Sequence, residues 1–173
     1  MKIAIISDTH DNIPNLEKTI NWLKSEGISL IIHCGDLCSP SFLSKVLAPS
    51  FSGEIHLIYG NVGDRELLEE KIKELKNVKY YSNQGEIELD GKKIAFVHYR
   101  EKAKKLAETG KYDIIFYGHT HKPWIEELKI ENCKLKIVKL VNPGTLAGMF
   151  NKATFAVYDT KTDNLELKIL EIL

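Results

Sequence analysis

Ile3-Ala4-Ile5-Ile6-Ser7-Asp8-Thr9-His10 opens with an apolar run that stops on a carboxylate and, two residues later, an imidazole. A buried strand needs only the apolar half. On extended backbone, residues i and i+2 point to the same side, so Asp8 and His10 can converge on one point. A carboxylate oxygen with an imidazole nitrogen is a ligand set suited to Mn, Fe or Zn. Taken alone, an Asp-x-His at a strand end is more often a turn carboxylate beside an exposed histidine. The surrounding sequence decides between the two.

Working outward, the strand Lys2 to Ser7 leads into a helix capped by Asp11 or Asn12, with Pro14 in its first turn and Gly27 closing it. Ile13, Leu16, Ile20 and Leu23 follow the spacing of one buried helical face. A second strand, Leu30 to His33, ends in Cys34-Gly35-Asp36, and Ser39-Pro40 begins a helix with Leu43, Val46 and Leu47 inward. A third, Ile55 to Tyr59, ends in Gly60-Asn61. Asp64 caps the next helix, whose inward set is Leu67, Leu68, Ile72 and Leu75. Asp8, Asp36 and Asn61 lie 28 and 25 residues apart, close to the ~30 of one strand-helix-strand unit. Right-handed crossovers make such strands parallel, and open α/β sheets bind ligands at the carboxyl edge. Three distant polar residues are thereby gathered at one edge.

Past Asn77 the pattern predicts hairpins. Val78–Ser82 and Glu86–Leu89 flank Asn83-Gln84-Gly85, and Asp90-Gly91 is a two-residue turn into Lys92–His98. A helix from about Glu101 to Glu108 follows, then a strand Ile114–Tyr117 stopping at Gly118-His119-Thr120-His121. Trp124–Ile130 and Leu135–Val141 are expected to pair around Glu131-Asn132. Asn142-Pro143-Gly144 turns the chain, and Ala153–Asp159 with Leu165–Ile172 closes it as a hairpin. The pattern predicts two stacked sheets with helices outside. No repeat, low-complexity tract or linker divides residues 1–173, so one domain is expected.

Composition narrows the function. With 43% hydrophobic and 28% charged residues, no net charge and a pI near 7.0, nothing advertises a basic face for extended nucleic acid. Too few apolar residues precede Ser7-Asp8 for a signal-peptide core, and no run reaches transmembrane length. The expectation is a cytoplasmic protein without a membrane partner. Cys34, Cys38 and Cys133 lack framework spacing and read as buried reduced thiols. Lys and Glu are plentiful and Gln84 is the only glutamine, a bias of heat-adapted proteins.

Polar residues close five strands: Asp8 with His10, Asp36, Asn61, His98, and His119 with His121. Seven donors on one edge exceed the needs of one ion and fit two divalent ions sharing a carboxylate. Asp36, alone in mid-series, is the natural bridge. Two ions and two carboxylates leave a charge of about +2, suited to a phosphate ester. A hydroxide between ions ~3.5–4 Å apart is a nucleophile for in-line attack at phosphorus.

Asp8-x-His10, Gly35-Asp36, Gly60-Asn61, His98 and Gly118-His119-Thr120-His121 resemble the five blocks of the calcineurin-like metallophosphoesterases. Length and the turn Asn142-Pro143-Gly144-Thr145 resemble their small prokaryotic phosphodiesterase branch, to which a retromer subunit is also related. The resemblance implies a four-layer α/β/β/α sandwich of two mixed sheets flanked by helices. It implies one metal held by Asp8, His10, Asp36 and His121, and another by Asp36, Asn61, His98 and His119. Catalysis falls to Asp36, Asn61 and His98, and substrate contact to Asn61. His98 is often followed by glycine in that family but here by Tyr99-Arg100. Arg100 is a candidate bidentate donor to a substrate phosphate, with a solvated arginine opening the helix as the alternative. The expected activity is hydrolysis of small or nucleotide-like phosphodiesters by a metal-bridging hydroxide. Manganese is the expected metal, with iron, zinc and nickel as alternatives, and a homo-oligomer is allowed. A phosphomonoesterase on the same site, or a non-catalytic protein-binding scaffold, are the rival readings. Val62 stands where many members carry a proton-donating histidine. The stretch Asn61-Val62-Gly63-Asp64 is one residue longer than usual, which leaves helix capping to Asp64. His33 and His56 are expected in the core or across strands, Trp22 and Trp124 as packing residues with Trp124 a wall near the cleft. Thr120 is expected to brace its loop. Lys102, Lys104 and Lys105 read as a solvated helix face.

Overall fold

The computed structural model describes residues 1–130 and 136–173. β1 (Lys2–Ile6) sits inside a six-stranded sheet because its residues are apolar on both faces. Ala4 and Ile6 join the core beneath the helices, while Ile3 and Ile5 point into the layer between the two sheets. β2 (Leu30–His33), β3 (Glu54–Leu57) and β4 (Val78–Tyr80) follow in parallel. On the other flank β10 (Thr154–Asp159) runs antiparallel to β1, and β11 (Asn164–Ile169) closes the edge.

The second sheet has the order β5-β6-β7-β9-β8. β6 (Lys92–Val97), β7 (Ile114–Phe116) and β9 (Lys136–Asn142) are parallel, with β5 (Gln84–Leu89) and β8 (Trp124–Ile130) antiparallel at the edges. α1 (Ile13–Ser25) and α4 (Arg65–Ile72) contribute to the core on the outer face of the first sheet, and α5 (Arg100–Glu108) seats Ala103 and Ala107 against Ala95, Val97 and Ile115 of the second. Phe96, Phe116 and Tyr158 fill the space between the sheets. The layers are helix, sheet, sheet, helix, as the resemblance implied.

Asn12 caps α1 by accepting from Asn15 N at 3.1 Å, while Asp11 accepts from Ser39 N at 3.1 Å instead. Asp64 caps α4, accepting from Leu67 N at 3.0 Å. Asp90 and Gly91, at φ 50° and 76°, make the two-residue turn between β5 and β6.

Four expectations need correction. Val78–Ser82 and Glu86–Leu89 are not a hairpin: β4 completes a fourth parallel unit beside β3, and β5 begins the other sheet. The helix begun at Pro40 is three short pieces: α2 (Pro40–Phe42), a π turn (Leu43–Leu47) and α3 (Ala48–Ser50). Pro49 explains this, since its ring and missing N–H oppose a regular α-turn there. Ile13 and Leu67 lie in first helical turns and are 42% and 39% exposed rather than inward. Finally, β11 ends at Ile169 and passes into a 3-10 turn, Leu170–Ile172. The expected turn at Glu131-Asn132, with Cys133 and Leu135, lies outside the described residues. Among the described residues no helix is long and apolar enough to cross a membrane.

Candidate metal centre

The loops that leave β1, β2 and β3 knit together directly beyond the strand ends. Asp8 N donates to Gly35 O at 3.0 Å, His10 N to Asp36 O at 3.2 Å, and Asp36 N to Tyr59 O at 3.1 Å. From the second sheet, Gly118 N donates to His98 O at 3.0 Å and His119 N to Asp8 Oδ2 at 3.1 Å. Such close crossings leave no room for side chains. A Cβ on Gly60 would stand 2.3 Å from Asp36 Oδ1, and one on Gly118 would stand 2.0 Å from Ser7 Oγ. Asp8, His10, Asp36, His119 and His121 all have left-handed backbone, with φ between 39° and 69°. Each such residue costs about 1–3 kcal/mol, and strain of this kind clusters at functional sites.

The side chains form two groups. Ligand atoms of Asp8, His10 and His121 lie within 4.8 Å of one another, as do those of Asp36, His98 and His119. Asn61 joins the second group, its Oδ1 2.8 Å from His98 Nε2. All seven predicted residues are therefore brought to one cleft.

The hydrogen bonding fits a cation. His98 Nδ1 is 2.8 Å from the carbonyl of Cys34, which only accepts, so Nδ1 carries the proton. In the neutral ring the Nε2 lone pair then faces two more acceptors, Asn61 Oδ1 and Asp36 Oδ2, the latter at 3.3 Å. Lone pairs converging in this way call for a positive charge between them, and fixing the tautomer from behind is how metal-binding histidines are oriented. Asp36 Oδ1 is already taken, accepting from Asn61 N at 2.7 Å and Val62 N at 3.1 Å, so Oδ2 is the free oxygen. In the first group His10 Nε2 and His121 Nε2 face each other at 3.2 Å. Asp8 Oδ1 is buried and receives no hydrogen bond among the described residues.

Burial raises the Asp8 carboxyl above the usual carboxylate range, with His98 and His121 opposing. Burial also pushes Asp36 upward, but a protonated His98 beside it, through its hydrogen bond and charge, together with the Asn61 amide outweighs burial and holds Asp36 low. A cation in the cleft would stabilise both carboxylates. Oxygen and imidazole donors without thiolate form a site for divalent cations. The nearby thiols stay protonated: burial lifts Cys34, and burial with Asp11, Asp36 and Asp8 lifts Cys38 to about 11. Cys38 is only half-buried, against expectation, and its Sγ lies 3.2 Å from His10 Nδ1.

Arg100 pairs with Glu126 of β8 rather than reaching freely into the cleft. Trp124 is 51% exposed, a rim residue and not a packing one, whereas Trp22 packs edge-on against Phe155. His33 and His56 are buried as expected. His33 Nδ1 accepts from Gly35 N at 3.1 Å, and Nε2 meets Thr9 Oγ1 at 3.2 Å. Burial drives the His33 imidazole down to about 3, so this relay holds the Gly35 loop as a neutral ring. Thr120 Oγ1 accepts from Asn142 Nδ2 at 3.0 Å, and the same amide donates to Gly118 O at 2.8 Å. Sequence reasoning missed this bracing role of Asn142, for which its place before Pro143-Gly144 was the only signal. It also missed Tyr99, whose ring centre lies 4.8 Å from that of His119 and 5.1 Å from that of His98. Only its position after His98 hinted at that.

Comparison with known proteins places this geometry. The calcineurin-like phosphoesterase superfamily domain matches residues 1–163. Phosphodiesterase MJ0936 of Methanocaldococcus jannaschii is 31% identical over 99% of this chain and all of its own length. The probable metallophosphoesterase MJ0623 of the same organism is 28% identical over 84% of this chain and 68% of its own. Among solved structures, a novel archaeal phosphodiesterase superposes with a TM-score of 0.79 at 29% identity, covering 98% of this chain and 99% of that one. Vps29 from Entamoeba histolytica, solved as a zinc complex, shares the fold at a TM-score of 0.68 and 18% identity, covering 98% and 99%. A family match over nearly the whole chain accounts for the strained strand ends and the two donor groups together: the chain belongs to the calcineurin-like phosphoesterase superfamily.

Proposed function

We propose that this chain is a metal-dependent phosphodiesterase that hydrolyses small, nucleotide-like phosphodiesters in the cytoplasm. The observation that carries the reading is the pair of donor groups facing one cleft, with Asp36 Oδ2 as the uncommitted oxygen. Full-length similarity to a phosphodiesterase supports the reaction class. Asp8, His10, Asp36 and His121 would hold one ion, and Asp36, Asn61, His98 and His119 the other, with Asp36 shared. Two bound divalent ions supply an activated water and Lewis-acid stabilisation of the phosphoryl oxygens. Manganese suits these mixed oxygen and imidazole donors better than magnesium, which prefers oxygen and keeps its waters.

The chain's own residues do the positioning. The Cys34 carbonyl orients His98, and two backbone amides orient Asp36. His119 N holds Asp8 Oδ2, leaving its other oxygen aimed into the cleft. Asn61 Oδ1 lies 2.8 Å from His98 Nε2, where the two would serve as donors to the same ion. Val62 uses its N–H on Asp36 and has no side-chain proton to give a leaving group.

The test strips the protein with a chelator, reloads it with Mn²⁺ or Mg²⁺, and compares bis(4-nitrophenyl) phosphate with 4-nitrophenyl phosphate. Preferential turnover of the diester by the Mn²⁺-loaded protein is expected. Preference for the monoester, or equal recovery with Mg²⁺, would overturn the respective part of the reading.

A further inference from the structure

We propose that Phe150 is a stacking platform for a planar substituent of the substrate, a nucleobase or a comparable aromatic ring, at the mouth of the metal centre. The inference rests on the phosphodiesterase reading and adds the residue that would hold the planar part of the ester.

Phe150 is 92% exposed, more than any other large hydrophobic residue among those described. Its φ is 64°, a left-handed conformation that is an outlier for a bulky side chain. Both features are unfavourable for a residue that serves only the fold. The ring neighbours the His121 imidazole, with ring centres 6.3 Å apart and planes inclined by 30°. One face is thus turned toward a donor of the first group while the ring remains open to solvent.

The loop that presents it is anchored to the centre itself. Leu146 N donates to Ser7 O at 2.9 Å, Ala147 N donates to Asp8 O at 3.1 Å, and Asn12 Nδ2 donates to Ala147 O at 2.9 Å. The segment that braces Asp8 thus leads into Phe150 three residues further on. On the flank of the ring is an open hollow of about 600 Å³, edged by Asn15, Lys18, Asn151 and Lys152. Lys18 donates to Leu170 O at 2.5 Å and Lys152 pairs with Glu171 at 2.8 Å, so this fringe is polar without being a free cationic patch. A flat apolar ring beside a phosphate-binding centre, with a polar hollow next to it, matches a nucleoside: base on the ring, phosphate at the ions, sugar between. A protein with no net charge and no basic stripe has little to hold a longer polyanion, which points to a single small ester.

The test measures binding by calorimetry to Mn²⁺-loaded full-length protein, with adenosine 5′-monophosphate and ribose 5-phosphate as probes. They share phosphate and sugar and differ in the base. Wild type should bind the adenine compound about tenfold more tightly, a ratio typical of one base on one aromatic ring. Phe150→Ala should bring the two together, and Phe150→Trp should keep the preference. Equal binding by wild type, or a preference that survives Phe150→Ala, would overturn the proposal. Sedimentation of wild type as a dimer that Phe150→Ala dissolves would also overturn it, by making the ring a contact between copies. Retained base preference without any diester turnover would support stacking while removing the phosphodiesterase reading, so the two fail separately.

Discussion

Asp36 divides its two oxygens between fold and chemistry. Oδ1 fastens the Asn61-Val62 backbone, and Oδ2 is left for a cation beside His98. Val62, its neighbour in this arrangement, carries a second consequence. General-acid catalysis contributes typically ~10²–10⁴-fold, and this position has no acid. Turnover should therefore fall steeply as leaving-group pKa rises, with aryl diesters cleaved well and alkyl diesters poorly. A leaving-group series at saturating metal checks this, and a flat dependence with chemistry rate-limiting would reveal a proton donor elsewhere. His33 makes a prediction about pH. Its folded value of about 3 lies below the 6.5 of the free side chain. The unfolded chain thus takes up a proton below about pH 6.5 that the folded chain refuses until about 3. The stabilisation by the neutral ring is complete above pH 6.5 and is lost as pH falls toward 3, at up to roughly 1.4 kcal/mol per pH unit. In denaturant titrations of metal-free protein, His33→Gln should show a flatter loss of stability between about pH 6 and pH 4 than wild type. An unchanged slope would mean that the imidazole is not held neutral.

At the scale of elements, the centre is a product of where strands stop. Gly60 approaches Asp36 so closely that a methyl group would overlap Oδ1, and its φ of 93° is strained for any other residue. Gly60→Ala should lower stability by roughly 1–3 kcal/mol and weaken metal binding by displacing the Asp36 carboxylate. Thermal unfolding and metal titration of that variant would read both effects, and wild-type behaviour in each would show that the loop has slack. The strand ends were also the most legible part of the sequence. Apolar runs such as Ile3–Ile6 and Ile114–Phe116 halt abruptly on Gly, Asp or His, and spacing near one parallel unit put those halts on one edge. β4 was not legible. Val78, Lys79 and Tyr80 carry too little pattern to separate a parallel partner of β3 from the first arm of a hairpin, and only burial of Val78 against Ile55 decides it. The π turn was hidden because the inward spacing of Leu43 and Leu47 survives it. The exposure of Trp124 depends on the edge position of β8, which no local pattern reports.

At the scale of the whole molecule, the centre spans both sheets. Asp8, His10, Asp36 and Asn61 follow strands of the first, and His98, His119 and His121 follow strands of the second. Ions shared by these donors would tie the sheets together, and a ligand bound only by the folded state stabilises it by mass action. We expect residues 1–173 to unfold in one cooperative transition, shifted to higher temperature by Mn²⁺ and back by a chelator. Two resolved transitions by calorimetry would mean that the sheets are separate folding units. The central claim, a pair of ions joined through Asp36, is tested most directly by counting metal. Wild type and Asp36→Ala, each loaded with Mn²⁺, dialysed and measured by elemental mass spectrometry, should hold about two ions per chain and well under one, with circular dichroism showing both folded. A folded Asp36→Ala protein that still retains close to two ions would contradict the account.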